Sequence, residues 1–358
     1  MPVLSLDDFS KRLKAGEIPP AVYLYGEEDV LKDEMVRAIL DQVVDSGLRD
    51  FNYDQRSAGQ LDPEAVETLC TTLPMMAERR LVVIRDVEAW QKRARARAAV
   101  LRYLEKPARE TVLVLVQGAP PPPRDGERGE PDADLVRLCA AVEVERYSPR
   151  RAEKWVTKRA EERGILLEPD AAAHLVKAVE GDLAAARSEL DKLAGLGGAE
   201  PVTLEQLGAS LGVRRGETPS DWCDAVLDDA SGKAAGMLPH VLSLSGVSGV
   251  GLLAQLGTHL VGLGLARAHY DRGLRAGSLE RTVREALVRI RPPVRLDYRA
   301  SAERWSRLAE AWPAPRIEAA IAAARRADQR LKSTALSDER GILVDLIMAL
   351  ARFAPVEA

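Results

Sequence analysis

The chain has 358 residues, long enough for two or three domains with sizeable cores. Lys and Arg total 51 against 55 Asp and Glu, a net charge of −4, which excludes a uniformly polycationic nucleic-acid wrapper and confines any DNA contact to a local surface. Hydrophobic residues make up 46% and aromatics only 4%, so the core is expected to be aliphatic and rich in Ala- and Leu-bearing helices.

Between residues 20 and 145, short β-rich runs alternate with helical patterns, the signature of a parallel sheet covered by helices. Strands are predicted at Ala21–Tyr25, Phe51–Arg56, Leu81–Arg85, Thr111–Val116 and Ala141–Glu145. The runs VYLY, LVVI and VLVLV are continuous rather than alternating, which places them in the middle of the sheet with both faces buried. Leu31, Met35, Ile39 and Val43 carry helical spacing, as do Ala65, Leu69 and Thr72. The stretch from Gly118 to Asp134, with its prolines and charges, reads as an exposed loop. Ser148 followed by Pro149 reads as a helix cap and first helical position, and strand signals stop there. Four helical segments follow to residue 213, broken at Gly164, Gly181 and a cluster of Gly195, Gly197 and Gly198. A Glu-Thr-Pro-Ser-Asp linker then leads into a region, 220 to 356, that reads as helix throughout. The predicted division is 1–147 as an α/β domain, 148–215 as a small helical domain and 216–358 as an all-helical domain.

Three cysteines, Cys70, Cys139 and Cys223, lie far apart and support neither a disulfide framework nor a thiolate zinc site, which points to a reducing cytoplasm. There is no basic segment leading into an apolar run and no uninterrupted apolar stretch of about 18 residues, so export and membrane insertion are not expected. Gly26-Glu27-Glu28-Asp29 follows the first long strand where nucleotide folds bind phosphate. The pattern GxxxxGK[ST] is absent, and three carboxylates in a first helical turn repel a polyphosphate; a capped helix start is expected instead. His174, His240, His259 and His269 fall in helical patterns without a metal or catalytic motif, and no catalytic constellation is found.

The segment Thr72-Leu73-Pro74-Met75-Met76-Ala77-Glu78-Arg79-Arg80 precedes the third long strand. Methionine commonly fills core gaps, so residue type alone predicts Met75 and Met76 buried beside the strand; the alternative is a hydrophobic plug for a partner groove, on the turn that Pro74 imposes. From Arg267 to Lys332 there are 16 Lys and Arg against 8 Asp and Glu, a local charge of +8 that leaves −12 for the rest. Arg291, Arg295 and Arg299 flank Pro292-Pro293, with Tyr298, Trp305 and Trp312 nearby, so phosphate contacts beside stacking aromatics are one reading. Solvated or intersubunit arginines and tryptophans packed between helices are the other. Asp328 and Lys332 share a helix face, while Glu189, Leu190, Lys192 and Leu193 carry a spacing that buries the leucines and exposes the charges.

Taken in order, VYLYGEED, TLPMMAERRLVVI, EGDLAAARSELDKL and RADQRLKST resemble successive landmarks of the delta subunit of bacterial DNA polymerase III, the clamp-loader subunit that opens the sliding clamp. The resemblance implies a degenerate AAA+ α/β module, a helical lid and a helical collar for oligomerisation. It implies no intrinsic catalysis, polymerase activity belonging to the holoenzyme, and no cofactor on this chain, ATP being bound by other subunits. The implied partners are the beta clamp, the gamma/tau and delta prime subunits, and primer-template DNA, with no membrane. Zinc modules of four cysteines, typical of the paralogous subunits, do not fit three scattered ones. In the family an apolar pair ahead of the third strand enters a clamp pocket; Met75 and Met76 match that pair and Leu73 is a neighbouring contact. Many members carry aromatic or leucine residues there, so the methionines are a departure. A noncatalytic AAA+-like scaffold or regulatory DNA-binding protein outside the replisome is the alternative, and a nucleotide hydrolase with an unrecognised site is the third class.

Overall fold

The structure, a computed structural model, describes residues 3–92, 94–118, 131–194, 201–211, 218–244, 247–290, 292, 294, 296–333 and 338–352. The chain divides into two compact units, Met1–Arg146 and Tyr147–Ala358. Most of the loop predicted after Gly118, the Gly195–Gly198 cluster, Arg291 and Arg295 lie outside the described residues.

In the first unit the strands are β1 (Leu4–Ser5), β2 (Ala21–Gly26), β3 (Tyr53–Ser57), β4 (Arg80–Arg85), β5 (Thr111–Val116) and β6 (Ala140–Val144). They form one parallel sheet in the order β1-β6-β2-β5-β4-β3. The three continuous apolar runs are β2, β5 and β4, adjacent in the interior, where each strand has a neighbour on both edges and both faces need cover. The helices are α1 (Leu6–Lys14), α2 (Asp29–Val43), α3 (Arg49–Asn52), α4 (Pro63–Thr71), α5 (Ala94–Glu105) and α6 (Ala133–Leu138). One sheet face, carrying Tyr23, Val82, Ile84, Leu113 and Leu115, packs on Val66 and Cys70 of α4, Val100 and Leu104 of α5 and Leu135 of α6. Helix α2 turns Val30, Leu31, Met35, Val36 and Ile39 inward and runs along β2, β4 and β5.

Gly26 closes β2 with φ +117°, and a Cβ there would stand 2.4 Å from the Val144 carbonyl oxygen, so the turn into α2 requires glycine. The sequence places Phe51 at the start of the second predicted strand; it sits in α3 instead, and that strand, β3, begins at Tyr53. The two-residue β1 at the sheet edge is too short to carry a sequence period and was not expected.

The second unit begins with α7 (Pro149–Glu161), α8 (Pro169–Ala178), α9 (Leu183–Leu193) and α10 (Leu204–Leu211). Pro149 takes the first helical position as expected, but the Ser148 side chain makes no cap hydrogen bond. Gly164 and Gly181, both at φ +72°, end α7 and separate α8 from α9. Leu190 and Leu193 are buried, while Glu189 pairs with Lys192 and is largely shielded rather than exposed.

Next come α11 (Pro219–Leu227), α12 (Ser231–Val241), α13 (Gly249–Asp271), α14 (Ala276–Ile290), α15 (Tyr298–Leu308), α16 (Ala314–Ser333) and α17 (Glu339–Ala351). Thr218-Pro219-Ser220-Asp221, expected in a linker, is the start of α11: Thr218 and Asp221 form a reciprocal capping box and Pro219 fits the first turn. The seven helices share one core that includes Trp222, Trp305 and Trp312. Helix α13 is long and apolar enough to cross a membrane by length and composition, yet Leu252, Leu256, Leu260 and Leu263 are buried in this core. Gly262 lets the Trp305 ring lie against α13, since a Cβ there would be 2.2 Å from the ring. Trp305 Nε1 donates to His259 Nδ1 at 3.1 Å.

Burial, and secondarily the Arg304 charge, push His259 down to about 4. The unfolded chain takes up a proton below about pH 6.5 that the folded chain refuses until about pH 4, so stability falls as pH drops through that window and is unaffected above it. Thermal melts between pH 7.5 and 4.5 should show the loss, up to roughly 3 kcal/mol. His259→Gln, which keeps an acceptor for Trp305, should flatten that slope.

Candidate partner-binding surface

Helix α4 stops because Pro74 disfavours helical backbone at Leu73. Its last turn is closed by Thr72, whose N–H and hydroxyl both donate to the Thr68 carbonyl, at 3.0 and 2.6 Å. At the other end of the loop Arg80 opens β4. Its guanidinium is buried, pairs with Asp54 and donates to the Thr72 carbonyl at 3.3 Å, which ties the two ends together.

The middle of the loop is held from α3. Asn52 is completely buried; its Nδ2 donates to the Met75 carbonyl at 2.9 Å, and its Oδ1 accepts from the Met75 N–H at 2.7 Å. Met76 follows in the left-handed region at φ +54°, a conformation that costs a non-glycine residue about 1 kcal/mol. Leu73 is 73% exposed, Met75 54% and Met76 87%. Burial beside the strand, expected from residue type, is therefore overturned: the backbone is anchored and the side chains face solvent. Three large apolar residues exposed within four positions form a surface suited to a partner rather than to chemistry. Phe51, next to Asn52, is 57% exposed and borders the same anchor. Sequence reasoning placed it in a strand; its neighbour's role depends on a contact 23 residues away.

The turn after β2 is arranged differently from the expectation of three carboxylates in one helical turn. Glu27 precedes the helix and pairs with Arg146 at 3.1 Å, Glu28 is a buried N-cap residue without a side-chain cap bond, and only Asp29 lies in the first turn. What fixes this turn is Lys32, missed in the sequence. Its side chain is completely buried, and Nζ donates to the Gly26 carbonyl at 2.9 Å and the Gln117 carbonyl at 2.6 Å while pairing with Asp29 at 2.6 Å. Counted from Gly26, Lys32 stands where GxxxxGK[ST] has its phosphate lysine, and Asp33 stands at the hydroxyl position. Asp33 pairs with Arg85 at the end of β4, at 2.7 Å. The chain's own charges are thus joined to each other where that motif would meet phosphate and its cation.

Among the candidate DNA contacts, Arg299 is exposed in the first turn of α15. Trp305 and Trp312 are buried and cannot stack on bases, and Tyr298 packs against the helical core. Much of the local +8 is also compensated from outside its window. Arg304 pairs with Asp224 and Asp228 at 2.9 Å each, Arg316 with Asp229, and Arg330 with Asp345 at 2.9 Å. Asp328 and Lys332 form the expected i,i+4 pair, at 2.8 Å. The three cysteines are buried free thiols, and burial raises Cys70 and Cys139 to about 12 and Cys223 well above its ordinary value, which makes them poor nucleophiles. Among the described residues no cluster of His, Cys, Asp and Glu has a metal-binding arrangement.

A parallel α/β unit followed by helices is the fold also seen in a solved clamp-loader delta protein. That of Bacillus subtilis aligns over 97% of this chain and 99% of its own, with a TM-score of 0.58 and 21% identity. Residues 23–119, which contain Lys32, Asn52 and the whole Leu73–Met76 loop, match the model of the DNA polymerase III delta-subunit family. The DNA polymerase III subunit delta of Bacillus subtilis is 30% identical over 210 residues, 56% of this chain and 59% of the relative. The chain is therefore aligned with somewhat under two thirds of that relative's length. The resemblance to the delta-subunit family is borne out: the segment that carries the loop matches that family's model, and a delta subunit is among the chain's sequence relatives.

Proposed function

We propose that this chain acts as a clamp-loader delta subunit in the cytoplasm, binding a ring-shaped sliding clamp through Leu73, Met75 and Met76 and stabilising its opened form for loading on primed DNA. The observation that carries this reading is the anchored, solvent-facing loop inside the family-matched segment. Apolar side chains fixed on a rigid backbone suit insertion into an apolar pocket, and the loss of solvent exposure supplies the binding energy. Opening requires tighter binding to the opened ring than to the closed one, because equal affinity shifts no population. The chain needs no catalytic group of its own for that. With Lys32 committed to its own carbonyls and Asp29, nucleotide control belongs to neighbouring subunits of the gamma/tau and delta prime kind. On this reading α7–α10 form the lid and α11–α17 the collar through which the subunits assemble. A pull-down with purified clamp, with and without the other loader subunits and ATP, tests the proposal; failure to retain clamp under every condition overturns it.

Primer-template DNA is proposed to pass near the helical unit, with Arg291, Arg295 and Arg299 as phosphate contacts. Reversal of all three to Glu should weaken DNA binding by the assembled loader and flatten its salt dependence, by up to about 2 to 3 in log–log slope. Equal slopes for the wild-type and variant complexes remove these residues from the DNA surface.

A further inference from the structure

We infer that Asn52 is a positioning residue for clamp binding, holding the Met75–Met76 turn in its binding conformation before the partner arrives. The inference rests on the clamp reading of the loop. A buried primary amide must find partners; Asn52 spends a donor and its acceptor on both backbone groups of Met75, 23 residues away. The same Nδ2 also reaches the Leu48 carbonyl at 3.3 Å, which fastens the amide to the turn preceding α3.

This arrangement secures no burial for the loop's own large side chains, since Leu73, Met75 and Met76 all remain more than half exposed. Met76, the residue after the anchored Met75, lies in the left-handed region, a conformation that L side chains rarely adopt. A loop fixed against its own backbone preference, with its apolar side chains outward, is organised for a contact that the isolated chain does not make. Methionine makes the anchor more consequential. Its three rotatable bonds already carry an ordering cost on binding, so a mobile backbone would add to a term that is large from the start.

The test compares full-length Asn52→Ala and Asn52→Asp with the wild type by calorimetry against purified sliding clamp and by amide hydrogen exchange. Asn52→Ala should weaken binding roughly 10- to 100-fold with the heat-capacity change of binding preserved, because the same apolar surface is still buried. Exchange at the Met75 amide should accelerate while the Leu81–Ile84 amides of β4 stay protected. Asn52→Asp keeps an acceptor for the Met75 N–H but sets a buried carboxylate oxygen against the Met75 carbonyl, so a loss at least as large as that of Asn52→Ala is expected. Wild-type affinity in both variants, or loss of β4 protection in both, overturns the inference, the latter by making Asn52 a determinant of the fold. The Met75→Ser/Met76→Ser double variant separates the two levels. If it loses clamp binding while Asn52→Ala does not, only the positioning role falls; if it also binds normally, the clamp reading itself fails.

Discussion

Replacing Met75 and Met76 together by Ser should lower clamp affinity by more than 100-fold while leaving the melting temperature and the circular dichroism spectrum nearly unchanged. Full burial of a methionine side chain contributes roughly 1.5 to 3 kcal/mol. Met76 is 87% exposed in the free chain and has nearly all of that to gain, whereas Met75, at 54%, has about half. The two together account for about 3 kcal/mol, which corresponds to somewhat more than a hundredfold in the dissociation constant. The folded chain has little at stake, because exposed substitutions away from buried contacts usually change stability by less than about 0.5 kcal/mol. Calorimetry with purified clamp and a thermal melt make the comparison. A large drop in melting temperature with unchanged affinity would assign the methionines to the core after all.

The exposure of those methionines shows where sequence reading stopped. Strands β2, β4 and β5 were legible because a strand buried on both faces needs an unbroken apolar run, and little else in a soluble chain has one. The helix and strand flanking the loop were legible too, through Pro74 and the LVVI run. Whether the loop turns its side chains in or out depends on Asn52 and Arg80 reaching it through space, and neither contact leaves a local period or motif. The same limit blurred the electrostatics. A +8 window is a property of sequence neighbours, but Asp224, Asp228 and Asp229 around the end of α11 and Asp345 on α17 enter it only when the helices pack. Lys32 was missed for another reason: with leucine at the motif's second glycine and Asp33 at its hydroxyl position, the pattern no longer reads as GxxxxGK[ST], although the lysine keeps its place.

That lysine supplies the second large effect: Lys32→Met should destabilise the first unit by about 3 kcal/mol and leave nucleotide behaviour as it was. Methionine fills most of the volume of the aliphatic stem but deletes a charged donor shared by the Gly26 and Gln117 carbonyls and Asp29. A buried acceptor deprived of its partner costs about 1 to 3 kcal/mol, so the two carbonyls dominate. Asp29 is 60% exposed and resolvates, so its share is small. For a unit of this size the expected fall in melting temperature is on the order of 10 °C. A lysine that binds phosphate behaves the opposite way: its loss abolishes nucleotide binding, and stability changes little because the ammonium was facing a ligand rather than the fold. Thermal melts of the two proteins, paired with titration by magnesium ATP, separate the cases. Saturable ATP binding by the wild type that disappears in Lys32→Met, with the melting temperature unmoved, would make this turn a nucleotide site and overturn its reading as an internal ion lock.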